Sequence, residues 1–127
     1  MDTGKLAIGI TAAAFTGFGA ALMAKPDKLL GRIGIEAHDP VGRAELRAMY
    51  GGMELGFGVF FAMAARKREW RAPALAAILL AIGTLGVTRI ATAAAEGAGP
   101  LAYAMAAPEV MAAVLAGSAL AGETPRV

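Results

Sequence analysis

Four long apolar stretches dominate the pattern of hydrophobic and polar positions, and short polar segments separate them. They are 6–23 with no charged residue, 48–65 with only Glu54, 72–95 with only Arg89, and 101–122 with only Glu109. About 20 mostly apolar residues in a helix cross the hydrocarbon core of a bilayer. The pattern therefore predicts an all-α fold, an integral membrane four-helix bundle. We expect a single domain over 1–127, with spans at about 5–24, 43–65, 72–95 and 101–122.

Two other interpretations of these stretches are open. The first stretch could be a signal peptide cleaved after "ALMA", although the start "MDTGK" carries one Lys against one Asp rather than a basic region. All four could be buried helices of a soluble alanine-rich bundle. Four such stretches in 127 residues leave almost no polar helix face, which disfavours that alternative.

Local signals indicate where the helices begin and end. Asp39 before Pro40 is typical of a helix start, so the second helix is predicted from near Pro40 to about Ala65. "RKREWRAP" (66–73) is a polar turn, and "EGAGP" (96–100) separates the last two helices. The long connection contains "PDKLLGRIGI" (26–35), which reads either as a short amphipathic helix on the membrane surface or as an ordinary loop.

The orientation follows from the distribution of basic residues. The turn between helices two and three contains four of them, Arg66, Lys67, Arg68 and Arg71. Cytoplasmic loops collect lysine and arginine, so this turn is predicted to be cytoplasmic. With four spans, both termini are then cytoplasmic as well.

Composition excludes several function classes. The chain is 57% hydrophobic with a mean hydropathy of +0.60, and it has no Cys, one His and one Ser. It can form no disulfide or thiolate site, and a Ser–His triad would need Ser118 and His38, which the topology puts near opposite membrane faces. No metal or other cofactor is indicated. A net charge of +2 without a basic tail makes nucleic acid an unlikely partner.

Small residues recur at spacing four in three of the helices. These ladders are Gly9, Ala13, Gly17 and Ala21 in helix one, Ala48, Gly52 and Gly56 in helix two, and Ala113, Gly117 and Ala121 in helix four. In lipid, helices associate by close packing of small residues, so the ladders are predicted to be packing faces.

The charged residues inside the spans are predicted to meet. Counting from the helix starts places Arg47, Arg89 and Glu109 at comparable depth in the outer half of the bundle, with Glu54 deeper. Arg47 and Glu54 are seven residues apart, within about 20° of one helix face, and Tyr50 lies between them. Two readings stay open: an ion-pair network that fixes helix register, and a ligand or reaction site.

The chain also resembles a known family. "PDKLLGRIGI", then "AELRAMYGGMELGFGVFF", then "LGVTRIATAAAEGAGP", with an acidic residue in the last helix, is similar to the bacterial family catalogued as domain of unknown function 4345. The most specific parts are Arg47, Tyr50, Gly51 and Gly52, and 86–89 leading to Gly97 and Pro100. The resemblance implies a small four-span protein, here of the bacterial inner membrane, and implies no activity.

Three function hypotheses follow, and whether the protein is an enzyme stays open. In the first, it binds or acts on a lipid-like or isoprenoid-like small molecule, with acid–base isomerisation or cyclisation as the chemistry. The site would use the carboxyls of Glu54 and Glu109 for catalysis, and Arg47, Tyr50, Arg89 and Tyr103 for ligand binding.

In the second hypothesis, the protein is an accessory or assembly subunit of a larger membrane complex, with a purely structural charge cluster. A transporter or proton path is the weakest, because no inverted repeat is visible. Membrane lipid is the expected partner, and either a homo-oligomer or a larger complex fits.

Overall fold

Five helices account for most of the computed structural model, which describes residues 2–123. They are α1 (Thr3–Ala24), α2 (Pro26–Leu30), α3 (Pro40–Arg66), α4 (Arg68–Glu96) and α5 (Pro100–Glu123). All but α2 are long and apolar enough to cross a membrane. Residues 2–123 contain no strand, so the predicted all-α class is confirmed. Each predicted span lies inside one of the four long helices.

The predicted start of α3 is confirmed by its cap. The Asp39 carboxylate accepts a hydrogen bond from the Gly42 N–H at 2.7 Å, and Pro40 occupies the first helical position. The C-terminus of α4 is closed by Gly97, which directly follows Glu96 and has φ +67°, a conformation that favours glycine. α5 starts at Pro100 and contains Pro108 in its interior.

The first connection contains a short helix. α2 is followed by a 3₁₀ turn over Gly31–Ile33, and Gly34 closes it with φ +79°. Leu30 is buried, whereas Lys28 and Arg32 are exposed. The segment is therefore amphipathic, and its position on a membrane surface stays a prediction.

Two of the long helices contain a π turn. It covers Arg47–Gly52 in α3 and Ile78–Ile82 in α4. Hydrogen bonds in a π turn run from i to i+5, so the turn holds one residue more than an α-helical turn. Counting residues at 100° each therefore misplaces a side chain around the helix axis when such a turn lies between the two residues compared.

The chain divides into two compact units, residues 10–63 and residues 1–9 with 64–127. In the 10–63 unit, α1 and α3 pack at glycines. A Cβ at Gly19 would lie 2.8 Å from the Leu55 backbone nitrogen, and one at Gly51 would lie 3.0 Å from the Met23 Cα. The ring of Phe15 adds contacts to α3, with centroids 5.7 Å from Phe57 and 5.6 Å from Phe61.

The predicted ladder of α1 is wrong at its glycines, and that of α3 holds only at Gly52, where a Cβ would lie 3.7 Å from the Met23 Cε. A Cβ at Gly17 or Gly56 would meet nothing within 4 Å among the described residues, and the contacts fall at Gly19, Gly51 and Gly58 instead. In an alanine-rich chain, small residues at spacing four occur on several faces. The spacing alone therefore could not identify the face that packs.

In the unit formed by 1–9 and 64–127, α4 packs against α5. A Cβ at Gly83 would lie 3.0 Å from the Ala113 Cβ, and one at Gly117 would lie 3.4 Å from Leu79. The predicted packing role of Ala113 and Gly117 is thus confirmed. Leu75 and Ile78 are fully buried in the same unit.

The start of α1 joins this unit through Asp2. Its carboxylate accepts hydrogen bonds from the N–H groups of Gly4 (3.0 Å) and Lys5 (3.3 Å), and it forms an ion pair with Arg71 at 2.9 Å. The Lys5 N–H is the main cause that lowers the pKa of Asp2. The N-terminus of α1 therefore lies at the same end of this unit as the basic start of α4.

The packing at Gly19 predicts opposite effects of two alanine substitutions in one helix. Gly19→Ala forces a Cβ against the α3 backbone and should destabilise the protein by roughly 1–3 kcal/mol. Gly17→Ala has open space and should be neutral or stabilising by up to about 1 kcal/mol, since glycine is a poor helix former. Reversible unfolding in mixed detergent measures both. Equal effects of the two variants would contradict the assigned contact face.

Candidate functional site

An ion pair between α4 and α5 is the best-defined polar feature within the membrane-length helices. Arg89 donates from Nε to Glu109 Oε2 (3.1 Å) and from Nη2 to Glu109 Oε1 (2.8 Å). The side chains are only 28% and 16% exposed, respectively. A guanidinium and a carboxylate joined by two parallel bonds form a strong and directional pair. The predicted meeting of Arg89 with Glu109 is therefore observed.

Local packing positions this pair. Gly86 precedes Arg89 by about one helical turn, so both lie on the same side of α4. A Cβ at Gly86 would lie 3.1 Å from the Glu109 Cβ and 3.3 Å from the Val110 nitrogen. The glycine lets the two backbones approach closely, which brings the guanidinium within reach of both carboxylate oxygens.

A shallow apolar groove, largely open to its surroundings, lies on the same two helices. It has a volume of about 450 Å³ and is lined by one residue of α4 and five of α5: Ile90, Tyr103, Ala107, Val110, Met111 and Val114. Ile90 directly follows Arg89, and Val110 directly follows Glu109. Tyr103, predicted as a ligand-binding residue, is 41% exposed and forms part of the groove wall.

In the 10–63 unit, Arg47 has a partner that the sequence did not predict. Its Nε donates to the backbone oxygen of Met23 at 3.2 Å, and the residue is exposed. Met23 lies in the last turn of α1, where carbonyl groups have no partner within the helix. Arg47 therefore caps the C-terminus of α1.

Tyr50 and Glu54 are half-buried in this unit. No cation of the described 10–63 unit lies within ion-pair distance of Glu54, so the alignment of Arg47 with Glu54 does not produce a pair. Arg47 is directed to the Met23 oxygen instead. The π turn over Arg47–Gly52 also lies between the two positions, and its additional residue changes the α-helical count that aligned them.

The six predicted site residues are thus only partly brought together. Arg89, Glu109 and Tyr103 belong to one helix pair, and Arg47, Tyr50 and Glu54 belong to the π turn of α3 and the turn after it. Within neither unit do the described residues form a buried cluster of arginine, glutamate and tyrosine. Among residues 2–123, no group of three or more His, Cys, Asp or Glu side chains is placed to hold a metal ion.

Comparison with known families agrees with this architecture. The sequence model of the family described as domain of unknown function 4345 (DUF4345) matches residues 4–120, nearly the whole chain. The chain belongs to this family. No curated protein and no solved structure gives a significant match. The description of DUF4345 states no activity.

Sequence reasoning missed the groove and the cap. Neither Ala107 nor Met111 stands out from other apolar residues in α5, so the groove left no local signal. The capping role of Arg47 left a partial signal in the sequence. Two adjacent glycines, Gly51 and Gly52, follow Arg47 by one turn, and glycine weakens a regular helix interior.

The ion pair predicts strong coupling between two substitutions. Arg89→Gln or Glu109→Gln each leaves one half-buried charge without its partner and should cost about 1–3 kcal/mol of unfolding free energy. The double variant should cost clearly less than the sum of the two. Arg89→Lys, which keeps the charge but not the two-pronged geometry, should lie between wild type and Arg89→Gln. Additive losses in this double-mutant cycle would show that the pair contributes nothing.

Proposed function

We propose that this protein is an integral membrane protein that binds a lipid-like or isoprenoid-like molecule in the groove of α4 and α5. The observation that carries the proposal is the groove itself, an exposed apolar depression in which two of the six lining residues, Ile90 and Val110, directly follow the two members of an ion pair. Ligand sites are mostly apolar concavities with a few polar groups that fix orientation.

The lining chemistry supports a hydrocarbon ligand. Five of the six lining residues are aliphatic or methionine, and only Tyr103 carries a hydroxyl. Methionine adapts its shape to flexible apolar partners, which suits an acyl or isoprenoid chain. The adjacent Arg89–Glu109 pair holds the two helices that form the walls, and it fixes the shape of the depression.

Binding is better supported than catalysis. Both oxygens of Glu109 accept hydrogen bonds from Arg89, so this carboxylate is already engaged. Glu54 has no ion-pair partner within its own unit and is the stronger candidate for proton transfer. Isomerisation or cyclisation of an apolar substrate would need no metal or nucleophile, and that activity stays a prediction.

A second candidate function is an accessory subunit of a larger membrane complex. It is favoured by the open space at Gly17 and by the exposed Phe18 beside it, because a small residue next to an aromatic one suits a close helix partner. Purification in mild detergent with a stoichiometric second protein would favour this function over the first.

We also propose that the protein lies in the bacterial inner membrane with both termini in the cytoplasm. The basic turn at Arg66, Lys67, Arg68 and Arg71 supports this orientation. The ion pair of Asp2 with Arg71 agrees with it, since it holds the start of α1 at the end of its unit where the basic turn leads into α4.

Filling the groove should remove the ligand. Ala107→Phe places a ring in the depression and should reduce co-purifying apolar lipid several-fold, measured by mass spectrometry per mole of protein. Ala104→Phe is the matched control, because Ala104 is also exposed on α5 but does not line the groove. Equal lipid content in wild type and both variants would refute binding at this place.

The orientation can be tested with single cysteines, since the natural chain has none. Ala98→Cys lies in the exposed connection before α5 and should react with a membrane-impermeant maleimide in intact spheroplasts. Glu69→Cys lies in the exposed 3₁₀ turn that begins α4 and should react only after lysis. The reverse labelling pattern would invert the topology.

A further inference from the structure

We infer that Arg47 is the centre of a site for a phosphate group at the end of α1, in the 10–63 unit. This inference does not rest on the groove of α4 and α5, because every residue that carries it belongs to α1, α3 and the connection between them. The capping bond to α1 uses only the Nε of Arg47, so the remaining donors of the guanidinium can bind a phosphate.

The guanidinium of Arg47 is held in place by a hydrogen bond from only one of its nitrogens. Its Nε donates to the Met23 oxygen, and neither Nη group has a partner among the described residues. An arginine fixed through Nε presents its two Nη groups as a fork, which is the geometry that matches two oxygens of a phosphate. The capping bond therefore orients the side chain in advance and lowers the entropy lost on binding.

Close packing builds this arrangement. A Cβ at Gly51 would lie 3.0 Å from both the Cα and the nitrogen of Met23, so α3 reaches the last turn of α1 only because residue 51 is glycine. The π turn begins at Arg47 itself. π turns inside α-helices are frequent at functional sites.

The level of Arg47 along α1 is different from the level that sequence counting predicted. Counting from Pro40 puts Arg47 about 10 Å inside α3. However, its partner Met23 is the penultimate residue of α1, so the guanidinium lies at the end of that helix. If α1 spans the hydrocarbon with its 22 residues, its end lies at the interface, where phospholipid phosphates are found.

The surrounding charges leave the site open to an anion. The same connection and the start of α3 carry four further cations, Lys25, Lys28, Arg32 and Arg43, and four carboxylates, Asp27, Glu36, Asp39 and Glu45. Within the described 10–63 unit, none of these carboxylates is within ion-pair distance of Arg47. Asp39 is already occupied as the cap of α3.

The test compares two lipids that differ only in phosphate. Purified protein in neutral detergent is offered phosphatidic acid or diacylglycerol with identical acyl chains, and retained lipid is counted by native mass spectrometry. We expect wild type to retain the phosphate-bearing lipid roughly tenfold better. Arg47→Gln should lose this preference, and Arg47→Lys should lose most of it because lysine lacks the fork.

Arg68→Gln is the matched control, since it removes one exposed cation from the first turn of α4 and should keep the preference. Millimolar inorganic phosphate is added in a separate arm. If it displaces the lipid or alone raises the melting temperature of wild type but not of Arg47→Lys, the phosphate group is recognised and free phosphate is a sufficient ligand.

The inference is overturned if wild type retains both lipids equally and inorganic phosphate has no effect, or if Arg68→Gln loses as much preference as Arg47→Gln. Should Arg47→Gln fail to fold because the cap of α1 is lost, wild type and Arg47→Lys decide the question between them. Circular dichroism of every variant identifies that case.

Discussion

A charged side chain in a membrane-length helix has to find its partners within the protein, because hydrocarbon offers no hydrogen bonds. The contacts of Arg89 and Arg47 agree with this constraint, whereas Glu54 has no ion-pair partner within its own unit. Arg89 meets it with both oxygens of Glu109 on the neighbouring helix. Arg47 meets it with a backbone carbonyl at the end of α1, a group that would otherwise lack a partner as well.

The two arginines share a structural device. In each case a glycine about one turn away, Gly86 for Arg89 and Gly51 for Arg47, allows the backbones to come close enough for the guanidinium to reach across. An added Cβ at either glycine would lie within about 3.1 Å of the neighbouring helix, so both contacts depend on the missing side chain. A Cβ at Gly17 or Gly56, by contrast, would meet nothing within 4 Å among the described residues.

These contacts give the protein two different kinds of surface. The α4–α5 pair offers an apolar depression shaped by a closed ion pair, and its chemistry suits a hydrocarbon chain. The α1–α3 pair offers an arginine with unused donors at a helix end, and its chemistry suits an anion. A molecule with an apolar chain and a phosphate head would present both chemistries, and so would two separate ligands.

The sequence by itself determined the helix content, the four membrane-length spans and the family. Each depends on local or summed properties: the length of apolar stretches, Asp39–Pro40 as a start signal, and the basic turn before α4. It also placed Arg89 and Glu109 together, because depth along two helices joined by a short turn is fixed by counting. The sequence left undetermined the rotation of each helix about its own axis, that is, which face of the helix packs. Arg47 bonds to the end of α1 and not to Glu54, and the closest contacts of α1 and α3 fall at Gly19, Gly51 and Gly58, which spacing did not indicate. Only tertiary structure decides rotation, since an alanine-rich helix presents small residues on every side and the face that packs is chosen by the helix against which it lies.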